Sequence, residues 1–367
     1  MSKRLRVAVL FGGKSGEHDV SLSSAASVIK SMDLDRYEVI PIGITRDGLW
    51  KIGQESLPMI AANLDQSKRE QLQSQLPVLS DSHDLGHPSI MKPSEIDVVF
   101  PVLHGTFGED GTIQGFLEIA NLPYVGAGVL ASAVGMDKVM TKKIFEQAGL
   151  PQGRYVYFLK SEWNKDASQI LQQIEGSFGY PCFVKPANLG SSVGISKAST
   201  QEELVEAIDF AAQYDRKILV EEFIPAHEIE VAVLGNDEPQ ASQPGEIVSS
   251  NDFYDYKAKY IDGKSEMRIP AELPEETKEK VRQMAVQAYK AIDGSGLSRV
   301  DFFIRKDNGE ILINEINTMP GFTPFSMYAK LWEHSGISYP ELVSKLIQLA
   351  LDRFKEKNEL ITTHEIK

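Results

Sequence analysis

Apolar runs and glycine turns alternate along the first part of the chain. Leu5–Phe11 is a hydrophobic stretch that ends at Gly12-Gly13, and Val20–Met32 behind it carries apolar residues at helical spacing. Tyr37–Ile44 and Asp97–Leu103 are further apolar runs. A wholly apolar strand followed by a glycine loop and a helix predicts a parallel sheet covered on both faces. Gly53–Met91 breaks this pattern with polar sequence of no clear period, which predicts a surface insertion or irregular helix of low thermodynamic cost. Asp137–Ala148 reads as an amphipathic helix stopped by Gly149, with Pro151 just beyond. Strands at Tyr155–Leu159, Pro181–Lys185, Val193–Ser196 and Lys217–Phe223 then alternate with helices at Lys165–Glu175 and Gln201–Gln213, a small α+β unit. A last region opens with the strand Glu228–Leu234 and closes with the amphipathic helix Tyr339–Phe354. Between them Ser249–Arg268 is polar and aromatic, a long loop of the kind that is more often functional than idle. The expected division is three units, residues 1–135, 136–226 and 227–367, in a mixed α/β fold.

Composition narrows the function. The chain has 367 residues, 42% hydrophobic and 25% charged, as ordinary folded proteins do. Its net charge of −14 repels phosphate backbones, so nucleic acid and anionic membranes are poor partners. Any anion must be met by a local cluster of cations or a metal. A single cysteine, Cys182, excludes an internal disulfide framework and a cysteine-rich metal site, and fits a reducing cytoplasm. Lys3, Arg4 and Arg6 precede an apolar run too short for a secretion signal, and no stretch approaches the ~18 apolar residues of a membrane span. The expectation is a soluble, cytoplasmic protein.

Several segments carry candidate chemistry. Gly12-Gly13-Lys14-Ser15-Gly16 follows a strand, but the Walker A spacing needs a glycine where Ala8 stands. The dinucleotide fingerprint needs an acidic residue closing the second strand, and Pro41-Ile42-Gly43-Ile44 has none. What remains is a turn rich in N–H groups with Glu17 beside it, either an exposed capping glutamate or a site residue. His104-Gly105-Thr106-Phe107-Gly108-Glu109-Asp110-Gly111 opens at the carboxyl end of an apolar strand, where open α/β sheets bind ligands. Lys185 roots the small-residue segment Leu189-Gly190-Ser191-Ser192-Val193-Gly194, either a glycine hairpin or a flap whose donors reach a phosphate.

The most informative segment is Arg299–Asn317. Asp307-Asn308-Gly309 between two apolar runs predicts a β-hairpin. A register centred on Asn308 sets Asp301 opposite Glu315 and Arg299 opposite Asn317. Period-two alternation then puts these four on one face, with Val300, Phe302, Leu312 and Ile316 on the other. Facing carboxylates are destabilising unless a cation lies between them, and two carboxylates with an amide oxygen suit Mg²⁺; the alternative is a solvated charged face.

Together these segments resemble the D-alanine–D-alanine ligase family of the ATP-grasp superfamily. The resemblance spans essentially the whole chain and is most specific at His104–Gly115, at Gly190–Gly194, and at Arg299–Asp301 with Glu315–Gly321. It implies an ATP-grasp fold of three domains and an ADP-forming ligation of two D-alanines, through an acyl phosphate, for peptidoglycan. Lys138 and Lys185 would contact ATP phosphates. Glu221, Ile224 and Glu228 would line the adenine and ribose site, with Glu222, Phe223 and Phe253 beside them. Asp301, Glu315 and Asn317 would hold two Mg²⁺ or Mn²⁺ ions. Glu17 and His104 would position the first D-alanine. Lys259, Ser326 and the Met327 backbone would take the carboxylate of the second. Arg299 and the Gly321 N–H would stabilise the tetrahedral intermediate, and a homodimer is implied.

In such ligases a tyrosine matching Tyr260 bonds with the residues matching Ser191 and Glu17, and phenylalanine there accompanies D-lactate use, so Tyr260 favours the dipeptide. Phe223, Glu222 and Met327 depart from the residues common in the family, tryptophan, lysine and leucine. The alternatives are a ligase joining D-alanine to D-lactate or D-serine, and an inactive nucleotide-binding regulator.

Overall fold

The computed structural model describes residues 4–75, 94–248 and 266–361. Three sheets organise it. The first has the order β3-β2-β1-β4, from β1 (Leu5–Gly12), β2 (Tyr37–Ile44), β3 (Trp50–Ile52) and β4 (Val98–Val102). β1 runs parallel to both neighbours, and Val7–Phe11 are fully buried, as a strand covered on both faces must be. One face packs on the helix His18–Ser31, and the other on Ile113 and Leu117 of a second helix.

Of the two readings of Gly53–Met91, surface insertion or irregular helix, its described part follows the second. Leu57, Ile60, Leu64 and Leu72 are buried in the same core as Val9 and Ile29; Leu57 and Ile60 sit on the short helix Leu57–Ile60, Leu72 on the helix Gln66–Gln75, and Leu64 in the extended link between them. Residues 76–91 of that segment lie outside the described part.

The second sheet, β5-β8-β6-β7, consists of β5 (Tyr155–Leu159), β6 (Cys182–Pro186), β7 (Ser196–Ala198) and β8 (Lys217–Glu222), with a separate core around Ile174, Val184 and Val220. The expected helix Lys165–Glu175 is found as Ala167–Ser177, started by Asp166, whose side chain accepts from the Gln169 N–H, and a short unforeseen helix, Lys160–Lys165, precedes it. The strand expected at Val193–Ser196 starts later, at Ser196. Ahead of it the chain turns, with Ser191 and Ser192 at φ +49° and +58°.

The third sheet has the order β12-β11-β9-β13-β14, with β10 beside β9. Its strands are β9 (Ala226–Gly235), β10 (Gln240–Ala241), β11 (Gly245–Val248), β12 (Glu266–Arg268), β13 (Gly296–Arg305) and β14 (Ile311–Asn317). Glu266–Arg268, read from sequence as loop, is thus an edge strand paired with β11. The hairpin register holds at the site end: Arg299 faces Asn317, Val300 faces Ile316 and Asp301 faces Glu315. A bulge after Asp301 then shifts it, so Phe302 faces Ile313 and Phe303 faces Leu312. Ile313, rather than Leu312, therefore joins Val300, Phe302 and Ile316 in the core beneath. Residues of the last two helices, Tyr328, Leu331, Leu342 and Leu346, share one core with β1, which fixes the first sheet against the third.

Candidate active site

Where the three sheets meet lies a cavity of about 590 Å³, lined by Glu17, His104 and Glu109 from the first, Leu189–Ser192 from the second, and Glu230, Arg299, Glu315, Asn317, Gly321 and Ser326 from the third. Lys138, at the start of the helix Lys138–Gln147, also faces it.

The third sheet supplies the charged wall. Glu230 pairs with Asp301 and Asp301 with Glu315, so three carboxylate residues stand side by side across β9, β13 and β14. Arg299 relieves the repulsion. Its guanidinium grips Asp301 with two bonds of 2.7 Å and lies 3.0 Å from Glu230. Burial opposes its charge, but Asp301 and Glu230 outweigh that and hold its pKa well above the usual range. Sequence reasoning chose Glu228 and missed Glu230. The signal was available: alternation on β9 gives both residues one face.

The loops supply the opposite wall. Glu17 stands at the N-cap of the helix His18–Ser31 but makes no capping bond; instead its carboxylate accepts from the Ser191 hydroxyl of the flap. The capping-glutamate alternative is thereby replaced by a contact across 174 residues. His104 is buried, with Nδ1 3.1 Å from the Met319 carbonyl and Nε2 3.1 Å from Ser24 Oγ. Burial lowers its pKa against the pull of Glu17, so the ring is neutral, donating through Nδ1 and accepting at Nε2. Gly321 sits opposite Ser326, whose Oγ accepts from the Thr323 N–H at 3.1 Å and lies 2.8 Å from Thr323 Oγ1. The Met327 side chain belongs to the core, and the residue, at the start of the helix Met327–His334, also lines the cavity.

Beside the cavity a narrower cleft is lined by Lys138, Lys142, Lys185, Glu221 and Glu315. Glu221 bridges two lysines, 2.6 Å from Lys142 and 2.5 Å from Lys185. Burial pushes the Glu221 carboxyl up, but the lysines prevail and hold it at about 2. Conversely, burial pulls Lys185 down and Glu221 more than restores it. Lys142 was not foreseen, although it lies one helical turn from Lys138. Lys138 donates to the Leu189 carbonyl at 2.6 Å, tying the helix to the flap.

Glu222 points the other way. Its carboxylate is held by Arg154 at 2.7 Å and Arg305 at 3.2 Å, so only its backbone remains for a ligand on the Glu221 side. Phe223 lies 6.0 Å from Phe183, ring to ring, with Lys197 4.3 Å above its face, and Ile224 packs close to Gly153. Glu228 pairs with Phe303 and Ile247 on β9. Phe253, Lys259 and Tyr260 lie outside the described residues.

Among the described residues no three His, Cys, Asp or Glu side chains stand in position to hold a metal by themselves. Asp301, Glu315 and Asn317 are nonetheless hard oxygen donors on one sheet face. That set fits Mg²⁺, which takes one or two carboxylates and fills its other positions with phosphate oxygens and water. Here both Asp301 oxygens bond to Arg299, and the Asn317 amide oxygen accepts from the Met319 N–H at 3.1 Å.

Comparison with known proteins shows what the chain is similar to. The family model described as D-ala D-ala ligase N-terminus matches residues 6–127, and that described as D-ala D-ala ligase C-terminus matches residues 144–348. D-alanine–D-alanine ligases of Acetivibrio thermocellus and Natranaerobius thermophilus are each 53% identical over 97% of this chain, covering 98% and 97% of their own lengths. Among solved structures, the D-alanine-D-alanine ligase from Coxiella burnetii superposes with a TM-score of 0.81 at 35% identity, over 98% of this chain and 97% of its own. The VanG D-Ala:D-Ser ligase from Enterococcus faecalis gives a TM-score of 0.79 at 38% identity, over 95% of this chain and 100% of its own.

Proposed function

The chain belongs to the D-alanine–D-alanine ligase family and has the ATP-grasp fold, and from that premise we propose that it joins two D-alanines into D-alanyl-D-alanine for peptidoglycan, with ATP converted to ADP and phosphate. The observation that carries the reading is the meeting of Glu17, Ser191, His104, Lys138, Arg299, Glu315, Gly321 and Ser326 around one cavity, from parts of the chain 309 residues apart.

In the first half-reaction a D-alanine carboxylate oxygen attacks the γ-phosphorus of ATP and ADP leaves. Two anions must meet, so cations are needed. Lys138 and Lys185 serve the phosphates, with Glu221 holding Lys185 in place. Mg²⁺ held by Asp301, Glu315 and Asn317 would screen the same repulsion and the charge that spreads in the transition state. The backbone of residues 222–224 and Glu228 line the adenine and ribose. Glu17, fixed by Ser191, and neutral His104 orient the first amino acid.

In the second half-reaction the free amine of another D-alanine attacks the acyl carbon and phosphate departs. Arg299 is already desolvated and fixed by two carboxylates, so it meets the developing oxyanion without reorganising, together with the Gly321 N–H. Ser326 and the Met327 backbone take the second carboxylate, with Lys259 of the segment outside the described residues. Leu189–Ser192 closes over the acyl phosphate and keeps water out. A cytoplasmic homodimer goes with this reading. No described helix is long and apolar enough to cross a membrane.

The test is to incubate the protein with Mg-ATP and D-alanine, alone and with D-lactate or D-serine, measuring ADP and identifying products by mass. D-alanine-dependent ADP with D-alanyl-D-alanine as main product is the expected result. A depsipeptide or D-alanyl-D-serine would keep the mechanism and change the second substrate, and ATP binding without ADP release would leave a nucleotide-binding regulator. Tyr260→Phe should raise ester over dipeptide at neutral pH; an unchanged ratio means that Tyr260 does not select the acceptor.

A further inference from the structure

Glu109 is a cavity-wall carboxylate that the mechanism above does not use. Its Oε1 accepts from the Gly105 N–H at 2.5 Å. Glu17 Oε2 lies 2.7 Å from where a Cβ on the same glycine would stand. A side chain there would collide with Glu17, and φ +76° would strain it further, so glycine is what lets two carboxylates bracket one residue. Two carboxylates so placed in an enclosed site cannot both stay charged without a cation or a proton between them.

The groups facing the pair are few. Ser191 donates to Glu17, and His104 beside it is held neutral between Ser24 and Met319. Lys138 donates to Leu189, and Arg299 is gripped by Asp301 and Glu230. Glu109 answers this setting: enclosure first, then the charge of Glu17, push its carboxyl well above the ordinary range against the pull of Gly105, Lys138 and Arg299. Glu109 is thereby driven towards its neutral form.

We propose that Glu109 is the second carboxylate of the first amino-acid subsite: the substrate ammonium settles between Glu17 and Glu109, and the proton on Glu109 leaves to solvent as it binds. The exchange is one positive charge for another, so the cavity accepts a zwitterion without gaining net charge at this end. It gives the subsite its requirement for a primary ammonium. The inference rests on the D-alanine reading above.

Calorimetry of D-alanine binding to the protein loaded with a non-hydrolysable ATP analogue, in two buffers of different ionisation heat, tests it. The expected result for the wild type is release of up to one proton, and affinity that rises by up to about tenfold per pH unit in the acid range of the profile. In Glu109→Gln proton release should vanish, the pH profile flatten and affinity at high pH fall roughly tenfold, since a charge-assisted bond is lost. D-alanine binding with a heat independent of buffer in the wild type would overturn the inference and leave the proposed function standing, even if the variant fails to fold. So would a Glu109→Gln protein that keeps the wild-type proton release. No D-alanine binding at all would sink the functional reading and this inference with it.

Discussion

The two walls of the cavity are built by different physics. On the third sheet, side chains are placed by strand register. Glu230, Asp301 and Glu315 stand in one row and Arg299 in the next, all on strands whose other faces are buried in a core. On the loop wall, Glu17, Gly105 and Ser191 are placed by turns, two of them at positive φ, and by bonds between segments far apart in sequence. Around Arg299 the sheet wall costs stability when altered, because the charges of Arg299, Asp301 and Glu230 are buried and mutually dependent. Loop residues give up activity more readily than stability.

The severest break of that contrast is Arg299→Met. Removing one member of a buried ionic set leaves Asp301 and Glu230 uncompensated, which should cost about 3–5 kcal/mol of folding stability, and turnover should fall by roughly 10²–10³. A variant with wild-type thermal stability would show that the carboxylates do not depend on the guanidinium. Glu315→Gln keeps shape and separates the two effects: ADP formation should drop about a thousandfold, equivalent to several kcal/mol, with the circular dichroism melting curve little changed. Near-normal turnover would remove Glu315 from the metal and phosphate chemistry.

Glu221 extends the contrast to pH. Its folded pKa of about 2 lies below its ordinary 4.5, so its stabilisation is present above the ordinary value and fades as pH falls through the folded one. Relative to the wild type, Glu221→Gln should lose on the order of 3 kcal/mol above about pH 5, and the difference should close towards pH 2. Denaturant midpoints across that range check it; a gap constant with pH would refute the assignment. The smallest effect belongs to the flap. Ser192 pays for φ +58°, so Ser192→Gly should gain about 0.5 kcal/mol in stability, read as a small rise in Tm. A loss instead would mean that the turn is held by its side chain.

The part of the site that was legible from sequence is the part ruled by local periodicity. Two apolar runs about Asp-Asn-Gly give a hairpin, and counting outward from Asn308 pairs Asp301 with Glu315, because side chains alternate along a strand whatever surrounds it. The count failed only past the bulge, where one extra residue moves Ile313 into the core in place of Leu312. Leu57 and Ile60 escaped notice because a helix this short offers too few turns for its period to stand out from polar neighbours.

What the chain determined by itself is therefore the strands, the glycine turns between them, and which charges share a strand face. Tertiary structure decided everything that joins distant segments: the Ser191 bond to Glu17, the two lysines on Glu221, the turning of Glu222 to Arg154 and Arg305, and the approach of both Glu109 and Glu17 to Gly105. Local sequence carries backbone preference and periodicity. It does not carry the distance between two loops, which is set only when three sheets pack and every buried charge must find its partner.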